Sequence, residues 1–345
     1  MEERMELLCE VRGRAGVITL NRPEVLNSLN LSMLSAMHRQ LRDWAADARV
    51  EAVVVRGAGA RAFCAGGDVR AVYDARGNDA FMDRVYRIEY ELDEYISRYP
   101  KPYVALMSGY TMGGGCGISI HGKHRVVTES SVIAMPEVAI GLFPDVAGSH
   151  FLSRCPGATG LYLGLTGTRV GGADALTLGL ADRFVQVDSL DPLLALIAET
   201  GDVPHALATF AVPPPAGKLE ILRPDIDDCF DRASAAAILS ALESRTADWA
   251  RDALRAMRAA SPMSLEITFR AIREGRGKSI RECLDTDFRI ALRMMRQADY
   301  FEGVRALIVD KDRAPKWSPP TLEQVDRRSV DACFAPLPSA GLAYR

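Results

Sequence analysis

Two acidic side chains stand out because each lies alone in an apolar part of the sequence. Between residues 131 and 148, Glu137 and Asp145 are the only charged residues, and each directly follows a proline. Such a carboxylate is either a first-turn residue at the positive end of a helix dipole or a working group with a tuned pKa. Because the two lie eight residues apart, just after a glycine-rich stretch, the pattern favours general acid–base chemistry.

Two runs of glycine precede these carboxylates, Gly66-Gly67 and Gly113-Gly114-Gly115. Consecutive glycines form tight turns, and they also let a ligand approach the backbone and meet its N–H groups. A helix that begins at the second run would add partial positive charge there. Together the two runs can supply two N–H donors to one developing oxyanion, which is what acyl chemistry requires.

Several other reaction classes lack the residues that they need. Residues 117–124 approach the phosphate-binding P-loop pattern, but His124 stands where the magnesium-binding Ser or Thr is required. No GxSxG sequence occurs, so a serine hydrolase of the α/β type has no support. His121 and His124 lie three residues apart without an acidic third ligand. We therefore predict no metal site and expect these histidines to pack or to form hydrogen bonds.

The composition is that of a folded globular protein. The 345 residues are 48% hydrophobic and 25% charged, with a formal net charge of -3, which excludes a disordered chain and gives no sign of nucleic-acid binding. The seven cysteines are an odd number without a CxxC pair, so we expect free thiols in a reducing compartment, the cytoplasm. The start, Met1-Glu2-Glu3-Arg4, is acidic and is typical of neither a secretory signal nor a transit peptide.

Hydrophobic patterning predicts strands that alternate with helices over much of the chain. Strands are predicted at 17–20, 52–55, 103–107, 125–127 and 132–134, and helices at 31–49 and 80–98. The uncharged stretch 103–120 contains five glycines, so it indicates a buried strand, a loop and a helix start rather than a membrane span. This alternation predicts an α/β fold with mostly parallel pairing.

The pattern changes near residue 230. Helices are predicted at 232–244, 247–259, 262–275 and 279–298, with few strand signals between them. Three consecutive prolines at 213–215 lie near this change. We therefore predict two domains, an α/β core over residues 1–230 and a mostly helical region over residues 231–345.

Ordered motifs along nearly the whole chain resemble those of the crotonase, or enoyl-CoA hydratase/isomerase, superfamily. They are Asn21-Arg22-Pro23, Leu26-Asn27-Ser28-Leu29, Phe63-Cys64-Ala65-Gly66-Gly67-Asp68, Lys101-Pro102, Met112-Gly113-Gly114-Gly115 and Met135-Pro136-Glu137. Further motifs resemble the 3-hydroxyisobutyryl-CoA hydrolase branch: Gly141-Leu142-Phe143-Pro144-Asp145, Glu302-Gly303-Val304-Arg305-Ala306 and Pro315-Lys316-Trp317. Each motif alone is weak evidence, whereas their combined order is highly specific.

The resemblance implies a repeated ββα spiral core that binds acyl-CoA, followed by C-terminal helices. It also implies that the backbone N–H groups of Gly67 and Gly114 form an oxyanion hole for the thioester carbonyl. Glu137 matches one of two glutamates that the hydratases use, but the second position is Gly117 here. Because hydration of an enoyl double bond needs both carboxylates to hold the water, we expect poor hydratase activity.

In the hydrolase branch an aspartate after Phe-Pro and a glutamate on the helix before the Lys-Pro strand contribute to the site. These match Asp145 and Glu89. The resemblance therefore implies an acyl-CoA thioester hydrolase that acts on a short 3-hydroxyacyl-CoA, foremost 3-hydroxyisobutyryl-CoA in valine catabolism, without a metal or redox cofactor. Ala147 departs from the branch, which more often has glycine there, and this leaves the acyl preference open.

Two alternatives stay open at this point. The protein could be an enoyl-CoA hydratase or isomerase that acts through Glu137 alone, or a catalytically silent acyl-CoA-binding protein, because a fold does not guarantee an activity. The oligomeric state also stays open. Members of this superfamily often form trimers, but the C-terminal helices could cover the surface through which such a trimer forms. Neither a nucleic acid nor a membrane is expected as a partner.

Overall fold

The computed structural model describes residues 5–337 and 341–344. The prediction made on the first four residues therefore lies outside the described residues. No helix within the described ranges is long and apolar enough to cross a membrane. All seven cysteines are free thiols, of which Cys9 is exposed and the other six are buried.

The described residues form ten strands in two sheets. The strands are β1 (Leu7–Arg12), β2 (Ala15–Leu20), β3 (Ala52–Gly57), β4 (Ala62–Cys64), β5 (Tyr103–Met107), β6 (Tyr110–Met112), β7 (His124–Val127), β8 (Val132–Ala134), β9 (Val170–Gly171) and β10 (Arg183–Phe184). One sheet has the order β1-β2-β3-β5-β7-β10 and the other the order β4-β6-β8-β9. Pairing is parallel except between β1 and β2 and between β8 and β9.

Successive strands alternate between the two sheets. Strands β3, β5 and β7 lie in the larger sheet, and each is followed directly by a strand of the smaller one, β4, β6 and β8. A helix follows the pairs β3-β4 and β5-β6 before the chain returns to the larger sheet. This arrangement confirms both the predicted ββα spiral and the mostly parallel pairing, and it divides the strands between two sheets.

Sixteen α-helices complete the described part of the fold. They are α1 (Leu31–Ala46), α2 (Val69–Asp74), α3 (Asp79–Ser97), α4 (Gly114–Ile120), α5 (Gly148–Leu152), α6 (Thr159–Thr166), α7 (Gly172–Thr177), α8 (Leu190–Thr200), α9 (Val203–Phe210), α10 (Leu219–Phe230), α11 (Ala235–Glu243), α12 (Asp248–Ala259), α13 (Pro262–Gly275), α14 (Ile280–Met294), α15 (Ala298–Val304) and α16 (Arg327–Phe334). The predicted helix 262–275 matches α13, whereas the predicted helix 279–298 corresponds to α14 and ends four residues early.

Helix α3 supplies much of the later site, and its local sequence explains how it forms. The Asn78 side chain accepts a hydrogen bond from Phe81 N, which caps the helix start. The buried face of α3 includes three acids, Glu89, Asp93 and Glu94. A buried acid needs a partner or a proton, and of the three only Glu94 forms ion pairs with arginines within the described residues.

The larger sheet separates two hydrophobic layers. Because side chains alternate along a strand, Val17, Val54 and Val104 face helices α8 and α9, whereas Ile18 and Val55 face the main core. The main core also contains the buried stripes of α1, α3, α13 and α14. The long helices of the C-terminal region thus pack directly on elements that carry the cavity described below.

The C-terminal region is mostly helical, as predicted. Helices nevertheless begin earlier than expected, because the last strand ends at Phe184 and α8 begins at Leu190. Buried residues from both sides of residue 230 belong to one hydrophobic cluster. The division into domains at 1–230 and 231–345 stays a prediction.

Candidate active site

One cavity of about 240 Å³ is lined by all five residues that the sequence predicts for the active site. Its lining includes Gly67, Glu89, Gly114, Glu137 and Asp145. They come from α3, from the start of α4 and from the segments that follow β4 and β8. The structure therefore brings the predicted set together, while the role of each residue stays a prediction.

The two glycine runs meet in this cavity. Gly66 and Gly113 have φ values of 114° and 50°, a backbone conformation that glycine adopts without strain. Gly114 is the first residue of α4, so its N–H belongs to the first turn, which has no intrahelical acceptor. A Cβ built on Gly114 would lie 3.3 Å from Gly67 N and would overlap Glu89 Oε1. A side chain at position 114 would therefore fill the space between the two glycine loops and Glu89.

Glu137 follows Pro136 and begins a 3-10 turn, Glu137–Ile140. It is 6% exposed, and its Oε2 has no hydrogen-bond partner within the described residues. Its Oε1 lies 3.0 Å from the position that a Cβ on Gly113 would take, so the carboxyl group faces the second glycine run. Burial, and then the charge of Asp145, raise the pKa of Glu137 well above its ordinary value. Such a group is suited to hold a proton or a water molecule at the reacting centre.

Asp145 lies just before α5, outside any helix, so the helix-dipole alternative does not apply to it. Tyr90 Oη donates a hydrogen bond to Asp145 Oδ2 at 2.6 Å. Burial raises the pKa of Asp145 to about 6, and the hydrogen bond from Tyr90 opposes that rise. The Tyr90 hydroxyl therefore favours the ionised form of Asp145 against the effect of burial.

Glu89 is buried on α3, and its ionisation is coupled to that of Asp145. Burial, and then the charge of Asp145, raise the pKa of Glu89 to about 8. Ionisation of one of these two carboxyl groups therefore opposes ionisation of the other, and Asp145 is the more readily ionised of the pair. Carboxyl groups whose pKa values are pushed apart in one cavity are typical of acid–base sites.

No space exists at Gly117 for the second glutamate of a hydratase. A Cβ built there would lie 2.6 Å from Asp93 Oδ2 and 2.9 Å from Val146 Cβ. Asp93 is fully buried, and both its carboxyl oxygens lack a hydrogen-bond partner within the described residues. Burial raises the pKa of Asp93 well above its ordinary value. The Asp93 carboxyl group thus occupies the space into which a side chain at position 117 would extend.

The C-terminal region supplies one wall of the cavity. Leu307 and Ile308 line it from a π-helical turn, Arg305–Val309. Arg305 fixes this turn through ion pairs with three acids, Glu302, Asp310 and Asp312. The motif at residues 302–306 therefore contributes ion pairs next to the turn whose apolar side chains line the cavity.

The two histidines belong to different elements, because His121 directly follows α4 and His124 begins β7. His121 Nε2 donates to Val146 O at 2.7 Å, and burial lowers the pKa of His121 to about 4. His124 lies in β7. No group of three His, Cys, Asp or Glu side chains suited to hold a metal ion occurs among the residues that the structure describes. The hydrogen-bonding role predicted for His121 is confirmed.

Three residues near the site were not identified from the sequence: Tyr90, Asp93 and Asp287. Asp93 and Asp287 lie among the apolar positions of helices α3 and α14, respectively. An acid on the apolar face of a predicted helix is the signal that could have identified both. Tyr90 gave no such signal, because a tyrosine on an apolar face is ordinary in a core.

Known proteins resemble this chain over nearly its full length. Residues 15–334 match the family model described as enoyl-CoA hydratase/isomerase. The Danio rerio protein named 3-hydroxyisobutyryl-CoA hydrolase, mitochondrial, is 41% identical over 96% of this chain and 90% of its own length. The crystal structure of a carnitinyl-CoA dehydratase from Mycobacterium thermoresistibile is 40% identical, with a TM-score of 0.95 over 99% of each chain. That of an enoyl-CoA hydratase from Rhodobacter sphaeroides is 42% identical, with a TM-score of 0.93 over 98% of this chain and 99% of its own. The chain belongs to the enoyl-CoA hydratase/isomerase family.

Proposed function

We propose that this protein hydrolyses the thioester bond of a short 3-hydroxyacyl-CoA, foremost 3-hydroxyisobutyryl-CoA in valine catabolism, to a free acid and CoA. The name of the Danio rerio relative supports the substrate. The observation that carries the proposal is the convergence of Glu89, Glu137 and Asp145 on the two glycine loops in one cavity. A volume of about 240 Å³ lies below that of usual ligand pockets, which suits a short acyl group rather than a whole CoA.

The thioester carbonyl oxygen would lie between the N–H groups of Gly67 and Gly114. Negative charge grows on this oxygen as the tetrahedral intermediate forms, and one such donor contributes about 3–4 kcal/mol to the transition state. Glu137, in its ionised form, either activates water or attacks the carbonyl carbon itself to give a mixed anhydride, which water then hydrolyses. In both routes the carbon–sulfur bond breaks, one water molecule is consumed, and the products are the free acid and the CoA thiol.

Asp145 and Glu89 would serve the hydroxyl end of the acyl group and the leaving thiolate. Asp145, in its ionised form, orients the acyl hydroxyl as a hydrogen-bond acceptor, assists proton transfer to the leaving thiolate, or does both. Glu89, in its protonated form, contacts the same hydroxyl and can donate to it. Neither step requires a metal or redox cofactor, so we propose none.

Hydration of an enoyl-CoA is the second candidate, because two of the solved structures most similar to this chain are named for dehydratase and hydratase activity. The geometry at Gly117 argues against it. The second carboxylate that would hold water against the double bond is absent there, and Asp93 occupies the space it would need. We therefore propose that hydrolysis exceeds hydration in this protein.

The test is a steady-state screen of short acyl-CoAs with a colorimetric reagent for free thiol. Wild-type protein should release thiol from 3-hydroxyisobutyryl-CoA faster than it hydrates crotonyl-CoA. Glu137→Gln should abolish thiol release and leave CoA-ester binding nearly unchanged, whereas Glu199→Gln, an exposed residue on α8, should match wild type. Unchanged turnover in Glu137→Gln would remove Glu137 from the mechanism, and thermal stabilisation by CoA esters without thiol release would indicate a silent binder.

Two further expectations remain proposals. A homo-oligomer is one, because the family often assembles as trimers. The cytoplasm is the other, proposed from the free thiols, although the name of the Danio rerio relative places that protein in mitochondria. Size-exclusion chromatography with light scattering and fractionation of the source cells test them separately.

A further inference from the structure

The two residues after Asp145 have an unusual backbone conformation. Val146 and Ala147 have φ values of 50° and 54°, in the left-handed region. Neither residue is glycine, and a β-branched residue such as valine is a genuine outlier in this region. A strained backbone of this kind persists only where the surrounding structure holds it in place.

Two buried side chains hold the backbone of this turn. Ala147 N donates to Asp287 Oδ2 at 2.8 Å, and His121 Nε2 donates to Val146 O at 2.7 Å. Gly148 N also donates to Asp145 O, which closes the turn. The Asp145 side chain is therefore carried by a turn whose shape depends on contacts with other elements.

Asp287 lies at a position of α14 that packing alone would fill with an apolar side chain. Its neighbours on the buried face of the helix include Leu284, Phe288 and Ala291. Asp287 is fully buried, and its Oδ1 has no hydrogen-bond partner within the described residues. Burial of a carboxyl group is unfavourable unless hydrogen bonds compensate for the loss of water. The hydrogen bond from Ala147 N is the contact of Asp287 that can compensate in this way.

The next residue of the same helix supports the other contact of Asp145. Phe288 packs edge to face on Tyr90, with ring centroids 6.3 Å apart. Tyr90 Oη donates to Asp145 Oδ2. Two consecutive residues of α14 thus support both the turn that carries Asp145 and the tyrosine that holds its carboxylate.

We propose that Asp287 is a positioning residue for Asp145. It fixes Val146 and Ala147 in the left-handed conformation and so sets the direction of the Asp145 carboxylate in the cavity. This inference rests on the proposed hydrolysis, and it assigns to the C-terminal region a direct part in the geometry of the reaction. An error of about 1 Å in the position of a reacting group can lower a rate about 100-fold.

The first test compares Asp287→Ala with Asp174→Ala in the full-length protein. Asp174 is a matched control, because it is also a buried aspartate that accepts a backbone N–H, that of Leu219, and it does not line the cavity. Both variants should unfold at a lower temperature than wild type. Asp287→Ala should lower kcat for 3-hydroxyisobutyryl-CoA about 100-fold with little change in KM. Equal kcat values in the two variants, measured on folded protein, would overturn the proposal.

A second substitution at position 147 can distinguish a positioning role of Asp287 from a general loss of packing. Glycine adopts a positive φ without strain, so Ala147→Gly should restore at least about tenfold of the lost kcat in Asp287→Ala and should raise its unfolding temperature. Asp287→Asn retains an oxygen that can accept from Ala147 N, so its kcat should stay within about tenfold of wild type. The proposal would be contradicted if Ala147→Gly restored no activity to Asp287→Ala and if Asp287→Asn were as inactive as Asp287→Ala.

Crystal structures of the variants distinguish this proposal from the proposed function. In Asp287→Ala the backbone at positions 146 and 147 should leave the left-handed region and the Asp145 carboxylate should turn away from Tyr90. Retention of the wild-type turn would overturn the role of Asp287 whatever the activity. If wild-type protein releases no thiol from any acyl-CoA, the proposed function fails, and these structures still decide whether Asp287 holds the turn.

Discussion

Tyr90 Oη donates to Asp145 Oδ2 at 2.6 Å, and Asp145 lines the cavity together with Glu89 and Glu137. Tyr90 follows Glu89 directly on α3, so one turn of one helix presents a hydrogen-bond donor to Asp145 and a second carboxyl group to the same space. The donor favours the ionised form of Asp145, whereas burial opposes it. The protonation state of the site therefore depends on the tyrosine as well as on the acids.

Tyr90→Phe should raise the pKa of Asp145 above its value of about 6, because the hydrogen bond that favours ionisation is lost. An acid with a higher pKa ionises only at higher pH, so the acidic limb of kcat/KM should move upward by about 1–2 pH units. The measurement is the pH profile of thiol release. Tyr99→Phe is the control, because the Tyr99 hydroxyl donates to Leu41 O outside the cavity. A profile unchanged in Tyr90→Phe would show that ionisation of Asp145 does not limit the reaction.

Glu89→Gln should make the protein more stable than wild type at high pH. Burial raises the folded-state pKa of Glu89 from 4.5 to about 8, so between these pH values the folded form keeps a proton that the unfolded form has lost. The free energy of unfolding of wild type therefore falls as the pH rises through this window, and glutamine removes that dependence. The difference between variant and wild type should grow from pH 4.5 to pH 8 and reach on the order of a few kcal/mol.

Urea unfolding at a series of pH values measures this difference directly. Glu199→Gln is the matched control, because the same substitution is made at an exposed position of α8. The control should follow wild type at every pH. A difference between Glu89→Gln and wild type that is constant across the pH range would mean that Glu89 is not protonated in the folded protein.

Local signals in the sequence were sufficient for several elements and for the candidate site. Strands β5 and β8 and helix α13 have the predicted bounds, because their apolar runs end at residues that break the pattern. Isolated acids indicated Glu137 and Asp145, and the glycine runs indicated two loops, whereas the choice of Gly67 and Gly114 within those runs, and of Glu89, came from the resemblance to a family. All of these are properties of short segments or of their order along the chain.

The parts that were missed depend on contacts between distant segments. Strand β1 was not predicted because it lies at the sheet edge, pairs with no strand of the described residues except β2, and carries mostly exposed side chains. Helices α5 to α10 are mostly short, with five to twelve residues each, and give weak periodic signals. The contact between Asp287 and Ala147 joins residues 140 positions apart, and no local pattern predicts it.

The space next to Gly117 can be tested by adding a side chain there. Replacement by alanine should destabilise the protein by about 1–3 kcal/mol, since the new Cβ would lie 2.6 Å from Asp93 Oδ2 and 2.9 Å from Val146 Cβ. Gly171→Ala is the control, because no atom lies within 4 Å of a Cβ built there and its φ is -80°. Chemical unfolding of both variants measures the difference.

The activity of Gly117→Glu follows from the same contacts. Although this change restores the residue type that a hydratase uses, it should not produce crotonyl-CoA hydration, because the carboxyl group cannot reach the cavity past Asp93 and Val146. The added side chain should instead push Val146 and with it Asp145, so thiol release should also fall. Loss of the enoyl absorbance of crotonyl-CoA and release of thiol measure the two reactions side by side. A folded Gly117→Glu variant that hydrates crotonyl-CoA faster than wild type would show that the absence of the second glutamate, rather than the Asp93 carboxyl group in its place, prevents hydration.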